Sequence, residues 1–404
     1  MSTLKGKDII IVGQQSWDTE IGSNCKDIAL EFSKYNRVLY VNSALDRITK
    51  QRRGSDPKIQ KRLRVIKGEE SGLIKIAENL YNLYPDQLTE SINWIPFTTV
   101  FDWFNKRNNK KFADSILKAV ERLGFKDYLL FNDNDMFRSY YLKEYLRPVL
   151  SAYYSRDNMV GVDYWKRHGL KLEPALIAKS DLCVANSEYL SSYCKQYNHN
   201  SFYVGQGCDF TFFKNEYLNP PEDIKGIAKP IIGYVGALLT SRLNLSLLEE
   251  MAGNNPGWNI VLVGPEDNDF QNSSLHSLQN VHFLGSKQAN MLPAYINSFD
   301  VCINPQVVNP ITIGNYPRKV DEYLALGKPT VVTNTQTMSS FRDYVYLAND
   351  NQDYEAGIKS LLNDNDEDLR AKRKAFALSH TWENSVAMIY DAFLEVAAQK
   401  GLKL

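Results

Sequence analysis

Two series of short β-branched runs, each alternating with helical stretches, are separated by one proline-rich segment. That rhythm restricts the chain to open α/β sheets, because a parallel strand needs a helical crossover before its neighbour can pair with it. In the first series Asp8–Gly13 and Arg37–Asn42 read as buried parallel strands. Between them, Cys25, Ile28, Ala29 and Phe32 fall at helical spacing. Asp127–Phe131, Ser151–Ser155, Asp181–Ala185 and Phe202–Gly205 continue the series as strands. The segment NPPEDIKGIAKP then breaks it with linker chemistry. The second series holds strands at Ile231–Val235, Trp258–Val263, Val281–Leu284, Val301–Asn304 and Pro329–Thr333, with a helix near Leu243–Ala252. From roughly Glu367 the tail reads as helix.

The expected organisation is an α/β, doubly wound, parallel-sheet domain over 1–215, a linker over 216–229, a second such domain over 230–375, and a terminal helix over 376–404 that packs back on the first domain. Open α/β sheets bind ligands beyond the carboxyl ends of their strands, so a cleft between the two sheets is the expected site. With 404 residues, both domains are long enough to bury a core.

Charge and cysteine usage exclude several classes. Lys plus Arg equals Asp plus Glu at 47 each, which gives no global case for nucleic-acid binding. The five cysteines contain no CxxC pair, and the odd number suits a reducing compartment. Met1–Asp8 is polar and no apolar run approaches spanning length, so a cytoplasmic chain is expected. The five histidines lack ligand spacing, and neither GxGxxG nor GxxxxGK[ST] occurs. Asn363–Asp368 (NDNDED) lacks the glycine and distal glutamate of a calcium loop and reads as a solvated turn.

Asp300–Asn334 concentrates the chemistry. A strand enters a loop of Asn, Pro and Gly, and Pro317 stands at the expected first helical position, with Gly327 and Pro329 past the end. A helix N-terminus behind a glycine-containing loop offers free N–H groups to a phosphate. Lys319 adds charge there, and Glu322, one turn further, is placed to accept hydrogen bonds from ribose hydroxyls. The same residues also fit a plain βαβ unit with an Arg318–Glu322 surface pair.

The string YPRKVDEYLALGKPTVVT resembles the donor-site helix of retaining GT-B glycosyltransferases, whose bacterial members often carry Lys-x-x-Glu-Tyr-Leu-Ala-x-Gly-Lys-Pro. The resemblance implies that Glu322 is the second glutamate of that family's Glu-x7-Glu pattern. Gly314 stands where the first belongs, and Asn309 matches an asparagine in the preceding loop. Asn315 and Tyr316 lead from that loop into the helix and complete the expected donor-binding set. Lys229–Pro265 is similar to the opening of the family's C-terminal domain. There Gly236 permits close backbone approach, Arg242 matches the basic residue on the donor diphosphate, and Gly264 ends the next strand at the pocket rim. Val204–Phe213 (VGQGCDFTFF) is similar to the signature near the interdomain crossing, with Gln206 and Cys208 as departures. Ser180–Ser187 (SDLCVANS) resembles the strand before it.

The acceptor side is expected in the first domain. Asp133, in NDND, and Asp157, in YYSRDN, each follow a strand and are candidate catalytic bases; both also fit loop or helix caps. Asp133-Asn-Asp135 spells a metal-binding triplet of another glycosyltransferase fold, which the C-terminal half argues against. Basic residues in 47–67 and basic-aromatic interleaving in 94–112 suit peripheral contact with an anionic bilayer, or equally a solvated loop and a helix with core aromatics.

The resemblance thus implies a GT-B enzyme with two Rossmann-like domains, moving a sugar from a nucleotide-diphosphate donor to a glycan or lipid-linked acceptor in cell-surface polysaccharide synthesis. Retention of configuration, no metal, no cofactor and no nucleic-acid partner go with it. The alternatives are a nucleotide-sugar 2-epimerase-like enzyme of the same architecture and an inactive glycan- or partner-binding subunit.

Overall fold

A computed structural model describes residues 3–19, 22–213, 218–363 and 366–404. Its contacts divide the chain into two compact units, 1–205 with 382–404, and 206–381.

The first unit is built on eight strands: β1 (Asp8–Gly13), β2 (Arg37–Val41), β3 (Leu73–Ala77), β4 (Leu80–Leu83), β5 (Leu129–Asp133), β6 (Ser151–Ser155), β7 (Leu182–Ala185) and β8 (Ser201–Tyr203). They run in the order β3-β4-β2-β1-β5-β6-β7-β8. Among the described residues of this sheet only β3 and β4 pair antiparallel; this edge hairpin carries exposed positions and had no periodic signal. β1 lies central and is buried along its whole length, so both its faces need cover. The helix Asn24–Ser33 covers one face together with Trp382–Gln399, where Phe32 stacks on Tyr390 at 5.3 Å and the Asn36 amide donates to the Tyr390 hydroxyl at 3.0 Å. Thr98–Leu123 covers the other face with Phe112, Ile116 and Val120. The C-terminal helix is therefore part of this core although it is last in the chain.

β5 starts later than the expected Asp127, because Asp127 adopts φ 46°, a left-handed turn conformation no strand allows. The shift draws Asn132 and Asp133 into the sheet, where Asp133 pairs with Gly13 and is buried.

The second unit has six parallel strands: β9 (Ile231–Val235), β10 (Asn259–Val263), β11 (Val281–Phe283), β12 (Val301–Asn304), β13 (Thr330–Thr333) and β14 (Tyr346–Ala348), ordered β11-β10-β9-β12-β13-β14. Residues 206–213 belong to it: the Cys208 amide donates to the His380 carbonyl at 2.9 Å. So does the proline-rich segment. Ile224 is buried beneath it, and Asp223 accepts from the Tyr295 hydroxyl at 2.8 Å. Residues 214–217, where the linker was expected to begin, lie outside the described residues. The tail is two helices, Glu367–Leu378 and Trp382–Gln399. Asp364 and Asn365 of the acidic turn are also outside the description, and Asp366 caps the helix after them by accepting from the Leu369 amide at 2.9 Å. Among the described residues no helix is long and apolar enough to cross a membrane. Both units are Rossmann-like, doubly wound parallel sheets.

Candidate donor site and candidate catalytic carboxylates

In the second unit the loops after β9 and β10 close on each other. The Gly236 amide donates to the Val263 carbonyl at 2.9 Å, and the Leu238 amide to the Pro265 carbonyl at 2.8 Å. A Cβ on Gly264 would lie 1.9 Å from the Gly236 carbonyl oxygen, so no side chain fits. Gly236 and Gly264 have φ 140° and 156°, values that L side chains seldom adopt.

Lys319 faces this turn. Its Nζ donates to the Tyr234 hydroxyl at 2.6 Å and sits 4.5 Å from the centre of that ring. A Cβ on Gly236 would stand 2.9 Å from the Tyr234 hydroxyl and 3.2 Å from the same Nζ, so the bare glycine is what lets the cation lie against this turn. Tyr234 was not singled out from sequence. Its position in a buried strand reads as core, and only the fold turns its hydroxyl toward Lys319.

The helix runs Arg318–Ala325, one residue later than expected, with Pro317 as its N-cap at ψ 70°. Val320, Tyr323 and Leu324 bury its inner side, and the Tyr323 hydroxyl accepts from the Val235 amide at 3.1 Å. This packing aims the helix's first turn toward the β9 loop. The loop before it is self-braced. Asn309 Oδ1 accepts from the Ile311 and Thr312 amides at 2.8 and 3.1 Å, while its Nδ2 donates to the Ser241 carbonyl at 2.9 Å. The Val307 amide donates to the Arg242 carbonyl at 2.9 Å, so this loop is tied to the segment Ser241–Arg242 at two points. The Arg242 side chain is exposed and makes no hydrogen bond or ion pair among the described residues. Gly314 is buried, and Asn315 Oδ1 is enclosed with no hydrogen-bond donor among the described residues.

Glu322 is half-buried, with 20% of its side chain exposed, and lies 3.4 Å from Arg318. Burial pushes its carboxyl above the usual range, against the pull of Arg318 and Lys319. The ion pair of the plain structural reading is thus present, on a carboxylate that is largely withdrawn from water.

Sequence reasoning passed over the adjoining network. Asp321 is fully buried and lies 2.7 Å from His380 Nδ1, which in turn lies 3.2 Å from the Tyr316 hydroxyl. The Cys208 thiol donates to Asp321 Oδ2 at 3.6 Å. Burial raises the Asp321 carboxyl, with His380 opposing. His380 follows in the chain by 59 residues, so no local spacing reveals it.

The candidate catalytic carboxylates lie in the first unit on one guanidinium. Arg156 Nε donates to Asp133 at 2.8 Å and its Nη1 to Asp157 at 2.5 Å. Asn134, at φ 54°, holds the loop by accepting from the Arg156 and Asp157 amides at 2.7 and 3.2 Å. Asp133 has no exposed surface, so it cannot touch an acceptor directly as it stands; burial raises its carboxyl and Arg156 opposes this. Asp157, at 37% side-chain exposure, is the accessible member. Among the described residues no group of His, Cys, Asp and Glu is arranged to hold a metal ion.

Residues 229–364 match the family model described as "Glycosyl transferases group 1". That stretch is similar to a group 1 glycosyltransferase domain. Over 264 residues the chain is 26% identical to a protein of Bacillus subtilis (strain 168) named as a teichuronic acid biosynthesis glycosyltransferase, TuaH. The alignment takes in 58% of this chain and 66% of the relative, just under two thirds of its length. The fold is that of solved GT-B structures. HepE of Anabaena, solved with UDP, superposes with a TM-score of 0.66 at 14% identity, over 96% of this chain and all 100% of that one. Sucrose-phosphate synthase of Thermosynechococcus elongatus gives 0.63 at 14% identity over 97% and 100%. Trehalose 6-phosphate synthase of Burkholderia multivorans gives 0.67 at 10% over 98% of each chain. At such identities these structures support the fold alone.

Proposed function

We propose that this glycosyltransferase moves a hexosyl group from a nucleotide-diphosphate sugar to a glycan or lipid-linked acceptor in cell-surface polysaccharide synthesis, with retention and without a metal ion. The observation that carries the donor side is the side-chain-free turn at Gly236 and Gly264 beside the Lys319 ammonium. A diphosphate fits such a place: backbone can approach it, a cation meets it, and a helix N-terminus faces it. Arg242, without a partner among the described residues, is the second cation. Glu322 takes the ribose hydroxyls.

In transfer, the bond between the anomeric carbon and the diphosphate breaks and the acceptor oxygen bonds to that carbon. The leaving diphosphate gains negative charge, so Lys319 and Arg242 act most strongly in the transition state. Asp157 is the residue assigned to receive the acceptor proton, and Asp133 the one that holds Arg156 in place. UDP in the HepE structure favours a uridine donor, and the TuaH name favours an acidic wall polysaccharide.

The decisive experiment is a thermal-shift panel of UDP, GDP and CMP sugars on the full chain, followed by product analysis. A donor at about 100 times its Kd stabilises by about 2.7 kcal/mol. Absence of any shift, and of any hydrolysis or transfer, sinks the reading in favour of an inactive subunit; a 2-epimer formed from donor alone selects the epimerase. Metal independence is checked with excess EDTA, and activity lost to EDTA and restored by magnesium or manganese overturns it.

Peripheral membrane contact belongs to the same proposal. Phe97 and Trp103 are 69% and 61% exposed, whereas Phe101 and Phe112 of the same stretch are core. Of the basic residues in 47–67, Arg47, Arg53, Arg62 and Arg64 already pair with acids. Co-sedimentation with phosphatidylglycerol vesicles tests it. A Phe97→Ala, Trp103→Ala double variant that sediments like wild type removes those two side chains from the contact.

A further inference from the structure

Glu173 is buried in the first unit, on the inner side of the helix Asp163–Lys179. Leu172, Leu176 and Ile177 share that side and pack into an apolar cluster. A carboxyl withdrawn from water costs stability, and an apolar side chain of similar volume would fill the same space without that cost. No cation accounts for it: among the described residues Glu173 forms no ion pair, and its hydrogen-bond partners are two hydroxyls, those of Tyr153 and Tyr193.

Tyr153, in the middle of β6, packs with this helix, while Tyr154 packs on the other face of the sheet. The Tyr153 hydroxyl has one proton, and it goes to Glu173 Oε1 at 2.7 Å. A lone pair is what the hydroxyl then offers to Asn134, which can meet it only with its NH2; Asn134 Nδ2 donates there at 3.4 Å. Asn134 Oδ1 is thereby turned the other way, where it accepts from the Arg156 and Asp157 amides at 2.7 and 3.2 Å. A reversed amide would set oxygen against the Tyr153 lone pair and NH2 against two backbone N–H groups. The direction of Asn134 therefore follows from Glu173 taking the hydroxyl proton. The relay holds in either charge state of Glu173, since a proton on Oε2, where the Tyr193 hydroxyl lies 3.5 Å away, leaves Oε1 able to accept.

Asn134 is itself in an uncommon state. It is fully buried, and its φ of 54° lies in the left-handed region that residues other than glycine seldom enter. Its carbonyl accepts from Gln14 Nε2 at 2.7 Å, so its backbone is pinned from a second side. The two amides that its side chain holds open the loop after β6, and that loop carries Asp157, whose carboxylate accepts from Arg156 Nη1 at 2.5 Å. An Asn134 free to rotate would release both amides together, and Asp157 with them. Displacement of a reacting group by about 1 Å costs on the order of 100-fold in rate.

We infer that Glu173 and Tyr153 are positioning residues for sugar transfer: together they fix the direction of the Asn134 amide, and through it the loop that presents Asp157 to the attacking hydroxyl. Neither touches a substrate. The inference rests on the proposal that Asp157 receives the acceptor proton, and an Asp157 variant separates the two.

The test compares Tyr153→Phe, Glu173→Leu, Glu173→Gln and Asp157→Asn in the full chain. Nucleotide release is followed from the UDP, GDP and CMP sugars, nucleotide binding by calorimetry with UDP, GDP and CMP, and hydrogen exchange at the Arg156 and Asp157 amides. Tyr153→Phe removes one hydroxyl and keeps the ring. It is expected to speed exchange at both amides and to lower kcat about tenfold or more. Nucleotide dissociation constants are expected to stay within about twofold of wild type, because the candidate donor site lies in the second unit. Glu173→Leu is expected to do the same, and Glu173→Gln, which can still turn an oxygen to Tyr153, to restore most of kcat. A merely structural role would lower the melting temperature of Tyr153→Phe and leave kcat of the folded protein unchanged. Wild-type kcat in a folded Tyr153→Phe, beside an inactive Asp157→Asn, overturns the positioning role alone, as does wild-type exchange at the two amides. Wild-type kcat in Asp157→Asn overturns the base assignment and the positioning role with it. Should Glu173→Leu fail to fold, Tyr153→Phe and Glu173→Gln decide the matter by themselves.

Discussion

His380 Nδ1 lies 2.7 Å from Asp321 Oδ1, joining the second residue past the helix Glu367–Leu378 to the middle of the candidate donor-site helix. Asp321 is wholly buried, so without its partner that carboxyl would be left to the Cys208 thiol and the Tyr316 hydroxyl. His380→Ala is expected to destabilise the protein by about 1–3 kcal/mol, the usual cost of an unsatisfied buried polar group. Urea unfolding measures this, and a midpoint equal to wild type would show that the contact carries no stability.

Glu322 follows the first helical turn by about 1.5 Å per residue, which separates a diphosphate-binding N-terminus from a ribose-binding carboxylate along one nucleotide. Glu322→Gln keeps the shape and one acceptor. It is expected to weaken nucleoside-diphosphate binding by about 1.5–3 kcal/mol, the range for hydrogen bonds to a charged group. Calorimetry with the preferred nucleotide decides it; equal dissociation constants would leave Glu322 as the helix partner of Arg318, 3.4 Å away.

Lys319 and Arg242 should matter more to turnover than to acceptor binding, because the diphosphate charge they meet grows as the glycosidic bond breaks. Each alanine variant is expected to lower kcat by about 100- to 1000-fold. Steady-state kinetics with saturating donor and acceptor check this, and variants that retain half of wild-type kcat would displace the donor site from these residues. Tyr234→Phe removes the 2.6 Å contact to Lys319 without removing the cation and should have the smaller effect.

Glu173 makes stability depend on pH. It is 1% exposed, and burial pushes its carboxyl from 4.5 to about 7, although the Tyr153 hydroxyl donates to it at 2.7 Å and opposes the shift. The folded value lies above the unfolded one, so between them the folded state binds more protons. Its contribution is complete below about pH 4.5 and is lost as pH rises through about 7, a change on the order of 3 kcal/mol. Glu173→Gln should flatten that part of the stability profile relative to wild type. Chemical denaturation at intervals from pH 4.5 to pH 8 tests it, and parallel profiles would mean that Glu173 is ionised in the folded protein at neutral pH.

Most strands of both sheets and the candidate donor-side helix were legible because their signals are local. Ile9–Val12 is apolar without interruption, as a strand buried on both faces must be. Lys319, Glu322, Gly327 and Pro329 sit at helical offsets that a reader can count. The edge hairpin Leu73–Leu83 and the edge strand Tyr346–Ala348 were not legible, because strands of three to five residues have too few positions to establish a period, and β3 and β14 are partly exposed besides. The 94–112 stretch was ambiguous for a related reason. Its aromatics divide between core and surface, Phe101 fully buried and Trp103 61% exposed, on a helix whose inward face is chosen by the sheet beneath it.

What the sequence by itself determined is the alternation of elements, the two-sheet architecture and the chemical character of the donor-side turn and helix, since each depends on residues within a few positions of one another. Only the tertiary structure decided which side chains meet. His380 reaches Asp321 across 59 residues, Arg156 bridges Asp133 and Asp157, and Tyr234 presents its hydroxyl to Lys319 from 85 residues away. Contacts of that kind leave no periodic trace, because strand order and crossover packing bring the partners together and neither is encoded in the spacing between them.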